Sequence, residues 1–188
     1  MIIFECSLCC PSLKIYRSVY SVGCGLGGKL GHGSRTDEEY PRLIEQFGLL
    51  NLQPMVVAAG AWHAAVVGRD GRVCTWGWGR YGCLGHGNEE CESVPKVVEA
   101  LSNVKAVHVA TGDYTTFVVS DDGDVYSFGC GQSASLGHNA AGNDEQVCFA
   151  SCLFPCFDLS LLFNLVQVMC FTYFLPLFRF PQSRHHEL

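Results

Sequence analysis

Val73-Cys74-Thr75-Trp76-Gly77-Trp78-Gly79, leading to Leu84-Gly85-His86-Gly87, decides the fold because the same phrase comes twice more in the chain. Upstream it reads Val19-Tyr20-Ser21-Val22-Gly23-Cys24-Gly25 leading to Leu30-Gly31-His32-Gly33. Downstream it reads Val125-Tyr126-Ser127-Phe128-Gly129-Cys130-Gly131 leading to Leu136-Gly137-His138-Asn139. The spacing is 54 residues, then 52. A fixed period of this size marks an array in which each unit is one supersecondary element that needs its neighbours to bury an apolar face.

Within the period the apolar residues come in short Val-rich runs bounded by glycine: Met55–Ala59, Ala64–Val67, Val73–Trp76 and Val94–Val98. These are strand-length runs. Arg69-Asp70-Gly71-Arg72 lies between the second and third, and its counterpart is Asp121-Asp122-Gly123-Asp124. An Asp-Gly pair between apolar runs predicts a two-residue hairpin of type I′, with both central residues at positive φ. Four antiparallel strands per unit of about 50 residues predict an all-β chain of propeller-blade size.

The string from Val57-Ala58-Ala59-Gly60-Ala61-Trp62-His63 through Asp70-Gly71, Trp76-Gly77 and Leu84-Gly85-His86-Gly87 to Val94-Pro95 resembles one repeat of the regulator of chromosome condensation family. The resemblance implies a seven-bladed β-propeller and covers about two thirds of the chain. The expected organisation is a non-repeat flank over 1–18 and repeats over 19–146: 19–53 partial, 54–104 complete and 105–146 nearly complete. An apolar tail follows over 147–188. An incomplete propeller leaves sheet faces and edges bare, so the chain reads as a fragment of a longer ring and as marginal on its own.

Composition separates body from flanks. Residues 19–146 carry 8 Lys+Arg against 15 Asp+Glu, whereas 147–188 carry two of each sign. Seven of the twelve cysteines fall in the two flanks. The apolar start is interrupted at Glu5 and has no basic head, so no secretory signal is expected and the location is cytoplasmic or nuclear. The acidic balance of the body argues against direct contact with nucleic acid. Residues 159–178 are uncharged and long enough to cross a bilayer. Asn164, Gln167 and Pro176 weigh against a span, and the tail is read instead as non-native sequence. Cys6, Cys9 and Cys10, and Cys148, Cys152 and Cys156, have the look of half zinc sites. No matching second pair follows either cluster, so neither metal nor cofactor is expected.

The seven histidines carry no catalytic constellation, because His32, His86 and His138 occupy one loop position on successive units and do not converge. The repeat-structural residues are Gly23, Gly25, Gly31, His32, Gly60, His63, Asp70, Gly71, Gly77, Gly79, Gly85, His86, Gly112, Asp122, Gly123, Gly129, Gly131, Gly137 and His138. The resemblance implies that His63 supports a neighbouring loop. Candidate interaction residues are the acidic tracts Asp37-Glu38-Glu39 and Glu89-Glu90-Cys91-Glu92, with Trp62, Trp78 and Arg80. The function expected is that of a non-enzymatic scaffold binding a protein partner. The resemblance leaves two alternatives open. One is a guanine nucleotide exchange factor for a small GTPase, for which no acidic wedge is found here. The other is an ultraviolet-B receptor-like protein. Gly77-Trp78-Gly79-Arg80-Tyr81-Gly82 is similar to a stretch of such receptors, but their Gly-Trp-Arg-His-Thr hallmark is replaced by Gly60-Ala61-Trp62-His63-Ala64 and Gly112-Asp113-Tyr114-Thr115-Thr116.

Overall fold

Eleven strands form three antiparallel sheets in a computed structural model that describes residues 2–10, 13–131, 136 and 150–152, with side chains at 18–131 and 136. All of these lie in a compact unit over Met1–Pro155. The first sheet has the order β1(Ile2–Cys10), β2(Leu13–Gly23), β3(Glu38–Leu43). The second has β4(Pro54–Ala59), β5(His63–Gly68), β6(Val73–Gly77), β7(Glu92–Val97). The third runs β8(Ala106–Thr111), β9(Thr115–Ser120), β10(Val125–Gly129), β11(Ala150–Cys152). These are propeller blades in an unclosed arc.

Strand β5 shows why the sheets stack. It is buried along its whole length. Ala65 and Val67 join a cluster with Val109, Val118 and Phe128 of the third sheet, while Ala64 and Val66 join Val19, Ile44 and Phe47 on the side of the first. The period of two sends alternate side chains to opposite faces, and here both faces are covered. A strand buried on both sides must be apolar wherever it has no polar partner, as it is from Ala64 to Val67. Each fully buried valine contributes about 1.5 kcal/mol or more.

Neighbouring blades interlock through an aromatic ring and a glycine. The indole of Trp76 on β6 reaches the loop that follows β2, and its Nε1–H donates to the carbonyl of Lys29 at 3.0 Å. Gly31 lies against it with φ of +80°, and a Cβ there would stand 2.8 Å from the indole nitrogen. One period on, Phe128 occupies the place of Trp76, and a Cβ on Gly85 would stand 2.9 Å from its ring. The loop also covers the outer strand of the next blade: Gly33 N–H donates to the Ser93 carbonyl at 2.8 Å. Strand β3 has no such cover among the described residues, and Tyr40 is 78% exposed.

Three features differ from the sequence expectation. Both hairpins use a different turn. Gly71 and Gly123 have φ of +86° and +91°, but neither Asp70 nor Asp122 has positive φ. With Gly71 N bonding Gly68 O and Gly68 N bonding Arg72 O, the connection is a type I turn followed by one left-handed glycine. The aspartate works through its side chain instead, accepting from Arg72 Nε at 2.7 Å. Second, residues 2–10, which carry no repeat phrase, pair along most of β2. Third, β10 acquires a partner at Ala150–Cys152, beyond the point where the expected proline is missing. A four-residue helix, α1(Gln46–Leu49), also interrupts the all-β pattern and buries Phe47 edge-on against Trp76, with ring centroids 5.7 Å apart.

Close backbone approach makes some of these glycines irreplaceable. A Cβ on Gly79 would lie 1.9 Å from the Glu90 carbonyl oxygen, and one on Gly25 would lie 1.9 Å from that of Thr36. Gly79→Ala is therefore expected to destabilise by about 3 kcal/mol or more in chemical denaturation, since backbone must move. Gly48→Ala, in α1 with nothing within 4 Å of its Cβ, is expected to be neutral or to stabilise by about 0.5–1 kcal/mol.

Candidate functional site

The loops at one end of the strands bring the chemistry-bearing residues together. The β4–β5 turn (60–62) and the β6–β7 loop (78–91) leave the same end of the second sheet, because His63 pairs with Gly77. The β8–β9 turn lies beside them, since a Cβ on Gly60 would stand 2.1 Å from the Gly112 carbonyl oxygen. Asp70 and Asp122 lie in hairpin turns at the opposite end.

His63 is fully buried between blades. Thr116 of the next sheet donates its one hydroxyl proton to the Cys83 carbonyl at 2.8 Å, so His63 Nε2, 2.7 Å away, is the donor to that hydroxyl. Burial lowers the His63 pKa to about 4, against a smaller upward influence of the Asp113 backbone. The loop histidines do a related job within each blade. Ser21 donates to the Leu30 carbonyl at 2.6 Å and accepts from His32 Nε2 at 2.9 Å. Thr75 repeats this with Leu84 at 2.6 Å and His86 at 3.0 Å. Ser127 donates to Leu136 at 2.9 Å. Gly137 and His138 lie outside the described residues, and Gly131 is exposed beside Leu136. Burial also lowers the pKa of His32 and His86, helped by Arg42 and Lys96 respectively.

The acidic tracts do not superpose. Only Glu38 and Glu92 fall at the same repeat position, pairing with Gly23 and Gly77. Each is neutralised by a cation of its own strand, Arg42 at 2.7 Å and Lys96. Asp37 accepts the backbone N–H of Gly25 at 2.9 Å. Glu39, Glu89 and Glu90 are exposed and enter no ion pair among the described residues.

Trp62, Trp78 and Arg80 belong to a larger aromatic cluster. Trp62 meets Trp78 edge-on with centroids 5.0 Å apart and stacks on Tyr114 of the next blade at 6.2 Å. Tyr114 in turn meets Tyr81 edge-on at 5.3 Å. Arg80 lies over Tyr81 at 4.8 Å, and Lys29, only 8% exposed, sits 5.3 Å from the centre of Trp62. The four rings are half-buried. Tyr81 holds φ of +59° at the position where the preceding unit has Gly27, at +74°. Sequence reading missed Lys29, Tyr81 and Tyr114. The available signal was Tyr114 at the repeat position of Trp62, which places two rings side by side on adjacent blades.

Nothing in this arrangement is a nucleophile with a base. Burial pushes the thiols of Cys74 and Cys83 up to about 12, far from reactive values. A cavity of about 370 Å³ beside α1, lined by Val19, Ile44, Phe47, Leu52 and Pro54, has Glu45 as its one titratable lining residue. Among the described residues no group of three or more His, Cys, Asp or Glu is placed to hold a metal ion. No helix among them is long and apolar enough to cross a membrane, and 159–178 lies outside them.

The profile of the regulator of chromosome condensation (RCC1) repeat matches residues 18–67 and 70–119, and a second profile of that description matches 106–134. The chain belongs to the RCC1 repeat family. It is 40% identical over 127 residues to the human E3 ubiquitin-protein ligase HERC2, covering 65% of this chain and 3% of that protein. It is 37% identical over 129 residues to the Arabidopsis thaliana ultraviolet-B receptor UVR8, covering 69% of this chain and 29% of the receptor. The chain thus spans less than a third of either relative. Among solved structures, human WBSCR16 superposes with a TM-score of 0.60 at 25% identity, over 70% of this chain and 33% of that one. Prp20p of Saccharomyces cerevisiae shares the fold, with a TM-score of 0.53 at 23% identity over 61% of this chain and 30% of its own.

The buried imidazole makes stability pH-dependent. The unfolded chain takes up a proton near pH 6.5 and folded His63 only near 4, so its contribution is fully present above 6.5 and is lost as pH falls toward 4. The loss amounts to about 3 kcal/mol. His63→Gln, which keeps a donor for Thr116, is expected to be less stable at pH 7 but to lose much of the acid slope. Denaturant midpoints from pH 7.5 to 4 measure this, and an unchanged slope would contradict it.

Proposed function

We propose that this chain is a non-enzymatic protein-binding scaffold whose docking surface is the loop end carrying Trp62, Trp78, Tyr81 and Tyr114. The observation that carries this reading is Tyr81. A left-handed backbone at a bulky residue costs of order 1 kcal/mol, and the equivalent position in the preceding unit is glycine. For folding alone glycine would serve about as well, since the ring contact with Tyr114 only offsets the strain. What tyrosine adds is a ring in a partly exposed aromatic group beside Arg80, the residue types that dominate protein-binding hot spots. The two relatives and Prp20p, whose structural description concerns its binding to Gsp1p and histones, support a partner-binding role for this fold in general.

Peptides selected from a displayed random library on the immobilised chain test the surface. Tyr81→Gly and Trp62→Ala are each expected to weaken the selected peptides at least tenfold. Asp122→Ser, at the opposite end, is expected to leave them unchanged. For Tyr81→Gly the relief of strain and the lost ring contact offset, so stability is expected to stay within about 0.5 kcal/mol. Peptides insensitive to both aromatic substitutions would contradict the assignment.

A further inference from the structure

We infer that the partner segment docking on this aromatic end is cationic, a Lys- or Arg-rich stretch of another protein; this rests on the docking surface proposed above. The rings themselves already accept cations. Lys29 lies over Trp62 and Arg80 over Tyr81, so this ring group holds ammonium and guanidinium groups of its own chain, and a cationic segment would use the same chemistry on what the rings leave exposed. Around the rings the charge balance is negative. Glu89, Glu90 and Asp113 are exposed and enter no ion pair among the described residues, and Asp37 adds a carboxylate whose recorded partner is a backbone N–H. The exposed cations on these loops are Arg35 and Arg80, the second of them held against Tyr81. Lys29 is buried.

What sets this end apart is that its carboxylates surround aromatic rings. The opposite end is acidic too, with Asp70 paired to Arg72 at 2.7 Å and Asp121 to Lys105 at 2.8 Å. Among the described residues Glu45, Glu99, Asp122 and Asp124 there enter no ion pair, but that end presents no such group of rings. An acidic partner would bring carboxylates against Glu89, Glu90, Asp113 and Asp37, with the guanidinium groups of Arg35 and Arg80 as the exposed cations to receive them. A cationic segment instead lays its aliphatic stems on the tryptophan and tyrosine rings and places its charges among the carboxylates. Aromatic contact supplies affinity, and the acids supply encounter rate and sign discrimination.

The test uses the full chain and two fluorescent twelve-residue probes, one repeating Gly-Arg-Leu-Lys and one repeating Gly-Glu-Leu-Glu, with binding read by anisotropy. The basic probe is expected to bind at least tenfold more tightly than the acidic one. Its affinity is expected to fall about threefold to tenfold in Glu89→Gln/Glu90→Gln, by a similar factor in Asp113→Asn, and further in Trp62→Ala. Raising salt from 50 to 300 mM is expected to weaken it. Preference for the acidic probe, lost in Trp62→Ala, would overturn the cationic assignment and leave the docking surface standing. Basic binding indifferent to Trp62→Ala and Tyr81→Gly would overturn this inference as non-specific charge attraction. If the library peptides also ignored those substitutions, the docking surface would fall with it.

Discussion

An aromatic ring seated on a glycine of the preceding blade is the contact on which the rest of this structure depends. Trp76 reaches the loop between β2 and β3, where Gly31 leaves room for its ring and the Lys29 carbonyl accepts its N–H. Phe128 repeats the contact on Gly85 without the hydrogen bond. The loop so pinned covers the outer strand of the next blade, and inside each blade the same loop is held by a Ser or Thr hydroxyl bonded to a leucine carbonyl. The Leu-Gly-His phrase is thus one device with three parts: a carbonyl to anchor, a glycine to receive the neighbour's ring, and an imidazole to complete the hydroxyl's bonding. The chain of bonds from His63 through Thr116 to Cys83 adds a polar link between the same two blades at the loop end. Stability in such an array is unit terms plus interface terms, and here these ring and polar contacts add to the apolar clusters between the sheets.

The same end of the strands has spare chemistry. Once glycines have made the loops compact, the residues on their outer side are only partly buried, and in this chain they are rings and carboxylates. Tyr81 shows the division between folding and docking most sharply. Its backbone follows the path that Gly27 takes one unit earlier, so the fold requires the conformation and not the side chain. A residue that breaks a local rule with no net gain to the fold points to function.

Much of the fold was legible because a repeat states its strands several times. Val73–Gly77 and its two counterparts became β6, the end of β2 and β10, and the apolar run Ala64–Val67 became β5, which the structure buries on both faces. The type I′ turn was misjudged at Asp70 and Asp122 because one left-handed glycine after a type I turn satisfies the same Asp-Gly spelling. The pairing of residues 2–10 with β2 was not readable, since a strand can be recruited by backbone hydrogen bonds that carry no side-chain signature. For the site, period alone placed Trp62 beside Tyr114. It did not reveal Lys29, because the corresponding residue in the next unit is Cys83, which bonds its own blade's Trp78 carbonyl at 3.1 Å. The two acidic tracts are offset from one repeat to the next, and the one acid that does recur serves an exposed ion pair worth little on its own.

If the ring-on-glycine contact couples the blades, removing a ring from one sheet must loosen its neighbour. Native-state hydrogen exchange on Phe128→Ala tests this most directly. The account predicts that amide protection falls together in β9 and β10, which carry the substitution, and in β6 and β7 of the preceding sheet, whose loop had received the ring. Loss of protection confined to the third sheet, with β6 and β7 unchanged, would contradict it.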